Sequence, residues 1–475
     1  MALIKLFRFL QLAAGISMMW LVVPGAWGGV TFTTLASFTG TNGAYPGAKP
    51  YAGLALGSDG NFYGTTTSGG TNNDGTVFQL TSTGAFTSLF SFNGTNGATP
   101  YAALVQGADG NFYGTTFFGG VSNWGAIFQI TTNGTFTNLF SFTGTNYPYL
   151  GANPAAALVP AGDGSFYGTA DYGGAYTNAI ESGYGYGTVF NVTTNGTVTV
   201  PAFFNGTNGA YSYGGMVLGK DGNFYGTTAW GGRGITSSFP GYGTVFKMTP
   251  AGTLTNIYLF TGFGDGGFVY AGLVQGGDGN LYGGTFNGGA YGYGTLFKVS
   301  TNGSFTLLHT FIASEVGSPY GGLTEGSDGN FYGTTYGLYG YGTVFQLTPG
   351  GAFTNLVSFN SANGAHPEGV LVQGPDGNFY GTTSLGGANG LGTIFRLSVP
   401  MPAVFKAITL TNGTATLTWS AVVGQTYQPQ YSTNLAQTNW NTLSKPFAAF
   451  SGIMTTTDFN AGGSPQRFYR VMLFP

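Results

Sequence analysis

The chain of 475 residues is poor in charge and rich in aromatic side chains. Its 12 basic and 15 acidic residues give a formal net charge of -3, too small and too dispersed to suggest a nucleic-acid or anionic-membrane partner. With 42 Phe, 30 Tyr and 6 Trp, it has more buriable surface than disordered chains carry. The length exceeds that of a usual single core, so several domains or a repeat array are expected.

The N-terminus has the pattern of a secretory signal peptide. Lys5 and Arg8 precede an apolar run over residues 9–23, and Ala26 with Gly28 form the small pair at which such peptides are cleaved. The run is shorter than the roughly 20 residues a membrane helix needs. We therefore predict a signal peptide over residues 1–28, a secreted, extracellular or cell-surface protein, and no membrane span after its removal.

An eight-residue motif recurs along the chain. Its first copy runs from Asp59 through Gly60-Asn61-Phe62-Tyr63-Gly64-Thr65 to Thr66. The aspartates of the seven copies are Asp59, Asp109, Asp163, Asp221, Asp278, Asp328 and Asp376. Asp-Gly pairs favour two-residue hairpin turns, and the dense alternating carboxylates of calcium loops are missing. These aspartates are therefore interpreted as turn residues.

Each repeat is predicted to form four short strands, which in the first repeat cover residues 54–56, 62–66, 76–80 and 86–92. Four strands at a period near 50 residues are typical of a β-propeller blade. Only six repeats have the fourth strand, beginning at Phe86, Phe136, Val198, Leu254, Phe305 and Phe353. A seventh copy, residues 32–38, precedes the first repeat. We therefore predict that it pairs with the strand around Ile394 and closes a seven-bladed propeller over residues 29–398.

Three segments of the fifth repeat carry a family resemblance: Gly272-Leu273-Val274-Gln275-Gly276, Asp278-Gly279-Asn280-Leu281-Tyr282-Gly283 and Gly294-Thr295-Leu296-Phe297-Lys298-Val299. They resemble the GloVer-type tandem repeats of bacterial secreted proteins, over about residues 30 to 398. The order of segments is also similar to that of NHL-type propellers. The resemblance implies a propeller and transfers no catalytic residue.

A different pattern follows a Pro-containing linker at residues 399–403. Short strands over residues 415–419, 426–432 and 467–473 predict a small fibronectin-III-like β-sandwich at residues 404–475. Its aromatic core is expected to contain Trp419, Tyr431, Trp440 and Tyr469. A sugar-stacking role for these rings is the alternative.

Strand alternation places short, uniform turns at one end of the propeller and variable, aromatic-rich loops at the other. Function concentrates in variable loops on a rigid scaffold, and aromatic rings beside amides suit carbohydrates. The alternative is that the rings only fill space between glycine-rich loops. The candidate ligand-binding residues are Trp124, Tyr172, Tyr186, Trp230, Tyr242, Tyr293, Tyr341, His366 and Glu368, and Tyr176, Tyr184, Tyr291 and Tyr339 lie in the same loops.

Catalytic chemistry has few candidates. His366 and Glu368 could form a proton-transfer pair, but solvated loop residues are the default interpretation. Paired carboxylates for glycoside cleavage could come from a set of five residues in the variable loops, Asp171, Glu181, Asp265, Glu315 and Glu368. With two histidines, one of them His309 in a fourth strand, and no cysteine, no metal site is predicted. No cofactor is predicted either.

Small residues before each inner strand, such as Ala52-Gly53 and Gly321-Gly322, fit the crowding where seven strands converge. The favoured function is a non-catalytic, monomeric extracellular binding or surface-interaction protein, with a polysaccharide or cell-surface glycan as its partner. A purely structural envelope or matrix component is the first alternative. A carbohydrate-active hydrolase or lyase is the second.

Overall fold

The computed structural model describes residues 10–12, 16–18, 29–144, 151–176, 185–234, 239–434, 439–463 and 466–474. Their regular structure is β apart from two short 3-10 helices, Ala313–Glu315 and Ala461–Gly463. Within these ranges no helix has the length and apolarity required to cross a membrane. An antiparallel pair, β1 (Leu10–Leu12) and β2 (Ile16–Met18), precedes β3 (Thr31–Ser37).

Seven four-stranded antiparallel sheets follow, one for each repeat. The first consists of β4 (Ala55–Leu56), β5 (Phe62–Thr66), β6 (Thr76–Leu80) and β7 (Phe86–Ser91). The second consists of β8 (Val105–Gln106), β9 (Phe112–Thr116), β10 (Ala126–Ile130) and β11 (Phe136–Ser141). The third consists of β12 (Val159–Pro160), β13 (Phe166–Ala170), β14 (Thr188–Val192) and β15 (Val198–Phe203).

The next three sheets repeat the same order. The fourth consists of β16 (Met216–Leu218), β17 (Phe224–Thr228), β18 (Thr244–Met248) and β19 (Leu254–Leu259). The fifth consists of β20 (Val274–Gln275), β21 (Leu281–Thr285), β22 (Thr295–Val299) and β23 (Phe305–Thr310). The sixth consists of β24 (Thr324–Glu325), β25 (Phe331–Thr335), β26 (Thr343–Leu347) and β27 (Phe353–Ser358). The predicted strands of the first repeat agree with the observed ones to within one residue.

The seventh sheet draws its outer strand from the N-terminal end of the described array. It consists of β28 (Val372–Gln373), β29 (Phe379–Thr383), β30 (Thr393–Ser398) and β3. In the β3 and β30 ladder, Phe32 faces Leu397 and Ala36 faces Ile394. The predicted pairing of this strand is therefore confirmed.

Successive sheets pack face to face through a repeated aromatic contact. The tyrosine of each second strand lies against the residue that begins the second strand of the next repeat. The ring centroids of Tyr63 and Phe112 are 4.0 Å apart. The seventh sheet meets the first in the same way, with Tyr380 and Phe62 4.1 Å apart. All five residues of β5 are buried, as expected for strands covered on both faces.

The residues that precede the inner strands of the first and seventh repeats approach one another so closely that the glycines there have no room for a side chain. A Cβ added to Gly53 would lie 2.3 Å from the carbonyl oxygen of Val370, and one added to Gly369 would lie 2.4 Å from the Gly53 nitrogen. These contacts join the first and seventh repeats. Between these two repeats, small residues lie where the inner strands approach each other, as predicted.

The repeated aspartates organise the turns at the uniform end. Asp59 accepts hydrogen bonds from the backbone and side-chain nitrogens of Asn61 and from the Tyr63 hydroxyl, at 2.7–3.0 Å. Gln79 donates to the same hydroxyl at 2.7 Å. These contacts confirm the interpretation of Asp59 as a turn residue.

A buried hydroxyl pair recurs between the second and third strands. In five repeats two threonine Oγ1 atoms lie 2.8–2.9 Å apart, as in Thr66 and Thr76. In the third repeat Ala170 faces Thr188, and the Thr188 hydroxyl is buried without a described partner.

Replacing Ala170 with threonine is expected to raise the free energy of unfolding by about 1 kcal/mol, because the new hydroxyl pairs the one at Thr188. Ala126→Thr is the matched control, since Thr116 opposite it already donates to the Phe118 carbonyl. Urea denaturation should give A170T the larger gain. An equal or smaller gain than for A126T would contradict this account.

The C-terminal residues form two further sheets. One consists of β31 (Phe405–Thr411), β32 (Thr414–Ser420) and β36 (Ile453–Asp458). The other consists of β33 (Thr426–Ser432), β34 (Asn441–Thr442), β35 (Phe447–Ala448) and β37 (Phe468–Phe474).

The C-terminal core contains three of the four predicted aromatic residues. Trp419 and Tyr469 are buried in it, and Tyr431 packs against it. Trp440 does not belong to this core. It is half-buried, and the Arg470 guanidinium lies over its ring, 4.4 Å from the centroid.

The segment between the repeats and these sheets is packed rather than exposed. Val399 and Met401 are buried in a cluster that also contains Val422 of the C-terminal module. The Val423 amide donates to the Asp376 carbonyl at 2.8 Å. The module thus contacts the Asp-Gly turn of the seventh repeat.

Candidate functional site

A cavity of about 580 Å³ lies where the seven inner strands begin, and residues from every repeat line it. One position of the repeat, just before the small residues that open the inner strand, contributes a lining residue from every repeat. In chain order that position holds Tyr51, Tyr101, Ala155, Tyr213, Tyr270, Tyr320 and Glu368. Five tyrosines and one carboxyl group therefore surround the cavity, with the short Ala155 as the one gap.

The residue two positions before each of these cavity-lining residues has a strained backbone conformation, which directs the chain so that the lining residue faces the cavity. All seven residues at that position have positive φ, from 52° to 66°: Lys49, Thr99, Asn153, Tyr211, Phe268, Ser318 and His366. Non-glycine residues rarely adopt such angles. Each is held on both sides: its N–H donates to a loop carbonyl of the preceding repeat, and its carbonyl accepts from the residue that follows the second strand. For Lys49 the preceding repeat is the seventh, through the Leu391 carbonyl at 2.9 Å.

The tyrosines form two continuous groups. The rings of Tyr213 and Tyr270 are 5.5 Å apart, and those of Tyr270 and Tyr320 are stacked at 5.2 Å. Tyr51 and Tyr101 meet edge to face at 5.2 Å. Along the repeat order, Ala155 separates the two groups on one side and Glu368 on the other.

Glu368 is a buried carboxyl group in the cavity wall, with 8% of its surface exposed. The Ser384 hydroxyl lies 2.7 Å from Oε1 and also within 2.9 Å of the His366 carbonyl. Burial raises the pKa of Glu368 to about 8, despite a smaller opposing contribution from the Ser384 hydrogen bond. The carboxyl group is therefore mostly protonated at neutral pH. The default interpretation of Glu368 as a solvated loop residue is therefore wrong.

The tyrosine hydroxyls keep their protons. Burial first, and then the Glu368 charge, raises the pKa of Tyr51 to about 12. Burial and the same charge also raise the pKa values of Tyr101 and Tyr336. Protonated hydroxyls can both donate and accept hydrogen bonds, so the cavity presents aromatic surface with polar edges.

Asp171 is a second buried carboxyl group near the cavity wall. It has no exposed surface, and neither oxygen has a hydrogen-bond partner among the described residues. Burial raises the pKa of Asp171 well above the ordinary value. Its charge would act on Tyr213 and Tyr320, but its side chain is not part of the described cavity lining.

Five of the predicted site residues share a structural role away from the cavity. Their backbone carbonyls accept the hydrogen bond from the strained residue of the next repeat. They are Trp124, Tyr186, Tyr242, Tyr293 and Tyr341. Four of these side chains are half-buried at the junctions between repeats, whereas 49% of Tyr341 is exposed. None lines the described cavity.

Tyr172 and Trp230 lie nearer to the cavity wall. The Trp230 indole packs edge to face on Tyr211, with the ring centroids 4.7 Å apart. Tyr172 makes the equivalent contact with Tyr211 at 5.3 Å.

The other loop aromatics lie at the surface or outside the described ranges. Tyr176, Tyr291 and Tyr339 are exposed. Tyr184 lies outside the described residues, and so does Glu181 among the carboxylates.

The structure does not pair the His366 and Glu368 side chains. The His366 ring lies against Tyr336, with Nδ1 3.0 Å from the Tyr336 carbonyl. Two other candidate carboxylates have local partners: Asp265 accepts from the Tyr258 hydroxyl, and Glu315 lies 2.9 Å from His309 Nε2. In the described part of the chain, no group of three or more His, Asp or Glu residues could hold a metal ion.

Sequence reasoning predicted Glu368 and missed the five tyrosines. Their signal is present in the repeat itself, since one aligned position holds tyrosine in five of seven copies. It directly precedes the small residues predicted to lie where the strands converge. The variable loops that were predicted to bind a ligand lie farther out, at the junctions between repeats.

The repeated sheets and their shared cavity define a tandem-repeat protein of the β-propeller class. The family model described as the Gloeobacter/Verrucomicrobia repeat matches residues 25–181, 176–338 and 234–441. The chain belongs to this family, as the repeat motifs indicate. Among curated proteins, none matches this chain.

Several solved structures are similar in fold at low sequence identity. A puromycin hydrolase is 13% identical with a TM-score of 0.47, the alignment covering 80% of this chain and 60% of the hydrolase. A gluconolactonase from Xanthomonas campestris is 12% identical with a TM-score of 0.36, covering 62% and 83%. A luciferin-regenerating enzyme is 11% identical with a TM-score of 0.41, covering 78% and 97%.

Proposed function

We propose that the seven sheets form one closed seven-bladed β-propeller. Three contacts between the last and first repeats support closure: the β3 and β30 ladder, the Tyr380 and Phe62 stack, and a hydrogen bond from Thr382 Oγ1 to the Ala52 carbonyl at 2.8 Å. The same hydroxyl contact joins neighbouring repeats elsewhere, as from Thr227 to Ala271 at 2.7 Å.

We further propose that this propeller is a non-catalytic binding protein whose cavity takes a glycan unit. The observation that carries the proposal is the cavity itself, surrounded by five tyrosines and one carboxyl group. Aromatic rings cover the C–H faces of sugars, while hydroxyl and carboxyl groups meet sugar hydroxyls. Glu368 is the one acidic residue among the described lining residues. Hydrolysis by two carboxylates needs a second, so binding is favoured.

The setting proposed for this activity is outside the cell. The leader pattern at residues 1–28 supports secretion. The C-terminal module, with two sheets around Trp419 and Tyr469, is proposed as a fibronectin-III-like spacer or attachment domain.

Glycan binding is tested by screening the mature chain, residues 29–475, against a glycan array and titrating the hits calorimetrically. Tyr270→Ala and Tyr320→Ala are each expected to weaken binding about five- to tenfold, since aromatic contacts of this kind contribute about 1–1.4 kcal/mol. Tyr339→Ala is the matched control, because that tyrosine is 85% exposed and outside the cavity lining. No saturable glycan binding, or equal losses in all three variants, would contradict the proposal.

A carbohydrate-active hydrolase remains the second candidate because of Glu368. A carboxyl group with a pKa of about 8 is protonated at neutral pH, as a general acid must be. Incubating the array hits with the protein distinguishes the two functions. Cleavage that Glu368→Gln abolishes would establish the enzyme.

A further inference from the structure

Glu368 stands where five other repeats place a tyrosine. The repeat itself accepts tyrosine at this position without strain, as Tyr320 in the preceding repeat shows. Burying a carboxyl group instead costs free energy unless it is neutralised or paired. This departure from the repeat puts an ionisable group into an otherwise aromatic wall, and nothing in the folding of the repeat requires it.

The surroundings of Glu368 contain aromatic rings and hydroxyls. No lysine or arginine is among the described residues that line the cavity. The groups that face Glu368 are Tyr51, Tyr101, Tyr320 and Tyr336, whose pKa values its charge raises, and the Ser384 hydroxyl. His366, two residues earlier, turns its ring to Tyr336. Asp171 is the second charge that acts on Tyr320.

Such a wall is complementary to an organic cation. Tyrosine rings attract cations through their π faces, most strongly where water is excluded. A carboxylate is the natural counter-ion, and the cavity supplies one such group at its wall.

We infer that the ligand of the cavity carries a positively charged amino or alkylammonium group. Glu368 and the five tyrosines of the cavity wall bind this group jointly. The inference rests on the proposed binding function and narrows its ligand class to a protonated amino sugar rather than a neutral one. On binding, the Glu368 carboxyl group loses its proton to solvent and becomes the carboxylate partner of the cation.

This exchange makes affinity dependent on pH. In the empty cavity the pKa of Glu368 is about 8, so below that value the cation must displace a proton. Affinity for a non-titrating cation therefore rises up to tenfold per pH unit from pH 6 to about 8 and then levels off.

The test is calorimetric titration of the mature chain with tetramethylammonium, glucosamine, glucose and N-acetylglucosamine at pH 6, 7 and 8. The parent protein is expected to bind tetramethylammonium and glucosamine more tightly than the two neutral sugars, at least tenfold at pH 7. Tetramethylammonium should show the rise with pH. Glu368→Gln should remove both the preference and the slope.

His366→Asn is the matched control, because asparagine stands at this position in the third repeat, at Asn153. His366→Asn should keep the rise of tetramethylammonium affinity with pH. This result would assign the pH dependence to Glu368 and not to the nearby imidazole. If Glu368→Gln does not fold, Glu368→Tyr restores the residue of five other repeats and should likewise remove both the preference and the slope.

Each further outcome decides between the two proposals. Glucose bound as tightly as glucosamine, with no effect of Glu368→Gln, overturns the cation inference and leaves glycan binding in place. Tetramethylammonium bound with the expected slope while no sugar binds supports a cation site at Glu368, but it overturns glycan binding and the amino-sugar ligand class with it. Binding of none of the four probes overturns both.

Discussion

Replacing Phe38 with alanine is expected to destabilise the repeat array by about 3–5 kcal/mol, the range for truncating a buried phenylalanine. Phe38 follows β3 and is fully buried. Its N–H donates to the Gly392 carbonyl of the seventh repeat, while its ring lies 5.5 Å from that of Phe78 in the first. The side chain therefore joins both ends of the array.

Phe92→Ala is the matched control for this substitution. Phe92 has the same position after β7, with its N–H bonded to the Gly75 carbonyl and its ring 5.3 Å from Phe128 of the next repeat. If the ring is closed, urea denaturation of the two variants should give equal losses. A cost below about 1 kcal/mol for Phe38→Ala beside the full cost for Phe92→Ala would show that the N-terminal strand is peripheral.

Removing residues 29–40 tests the same closure more severely. The deletion exposes the edge of β30, whose unpaired backbone groups can template association with other chains. We expect aggregation and loss of cooperative unfolding, measured by light scattering and circular dichroism. A deletion variant as soluble and cooperative as the parent would refute the closed ring.

The repeat motif was sufficient to predict the strands, because each is bounded by turn residues that recur in register. The fourth strands begin at the predicted residues, and β3 pairs with β30 as predicted. Strand positions depend on local turn chemistry and alternation, which a single repeat displays. Seven copies of the same pattern then reinforce each assignment.

The site was predictable only in part, because it arises from contacts among repeats. The burial of Glu368 depends on contacts with residues of other repeats around the cavity, which no single loop sequence displays. The loop aromatics such as Tyr242 and Tyr293 were expected to face a ligand. Their backbone carbonyls hold the next repeat, a role that any residue type at that position could perform, and contact of their side chains with a ligand stays a prediction.

The stability of the protein is expected to fall as the pH rises from 5 to 8. Burial raises the pKa of Glu368 from its ordinary value of 4.5 to about 8, so in this window the native state binds a proton that the unfolded chain has lost. Stability from this group is complete below pH 4.5 and is lost as the pH rises through 8. The full shift corresponds to at most about 5 kcal/mol, and Asp171 acts in the same direction.

The turn aspartates act in the opposite direction and at lower pH. Partial burial opposes the effect, but hydrogen bonds from Tyr63 and Asn61 together lower the pKa of Asp59. Stability from Asp59 is present above the pKa of the unfolded carboxyl group and is lost as the pH falls through the lowered value. The two classes of carboxyl group therefore place the stability maximum near pH 5.

Urea denaturation at pH 4, 5, 6, 7 and 8 measures both arms of this profile. Glu368→Gln should match the parent at pH 5 and exceed it at pH 8, and adding Asp171→Asn should flatten the alkaline arm further. Asp59→Asn is the control of opposite sign, since it should alter the acid arm and leave the slope between pH 5 and 8 intact. If Glu368→Gln keeps the parent's slope from pH 5 to 8, the carboxyl group is already ionised in the native cavity. Binding of a cation would then release no proton from Glu368, and the expected rise of cation affinity with pH would be absent.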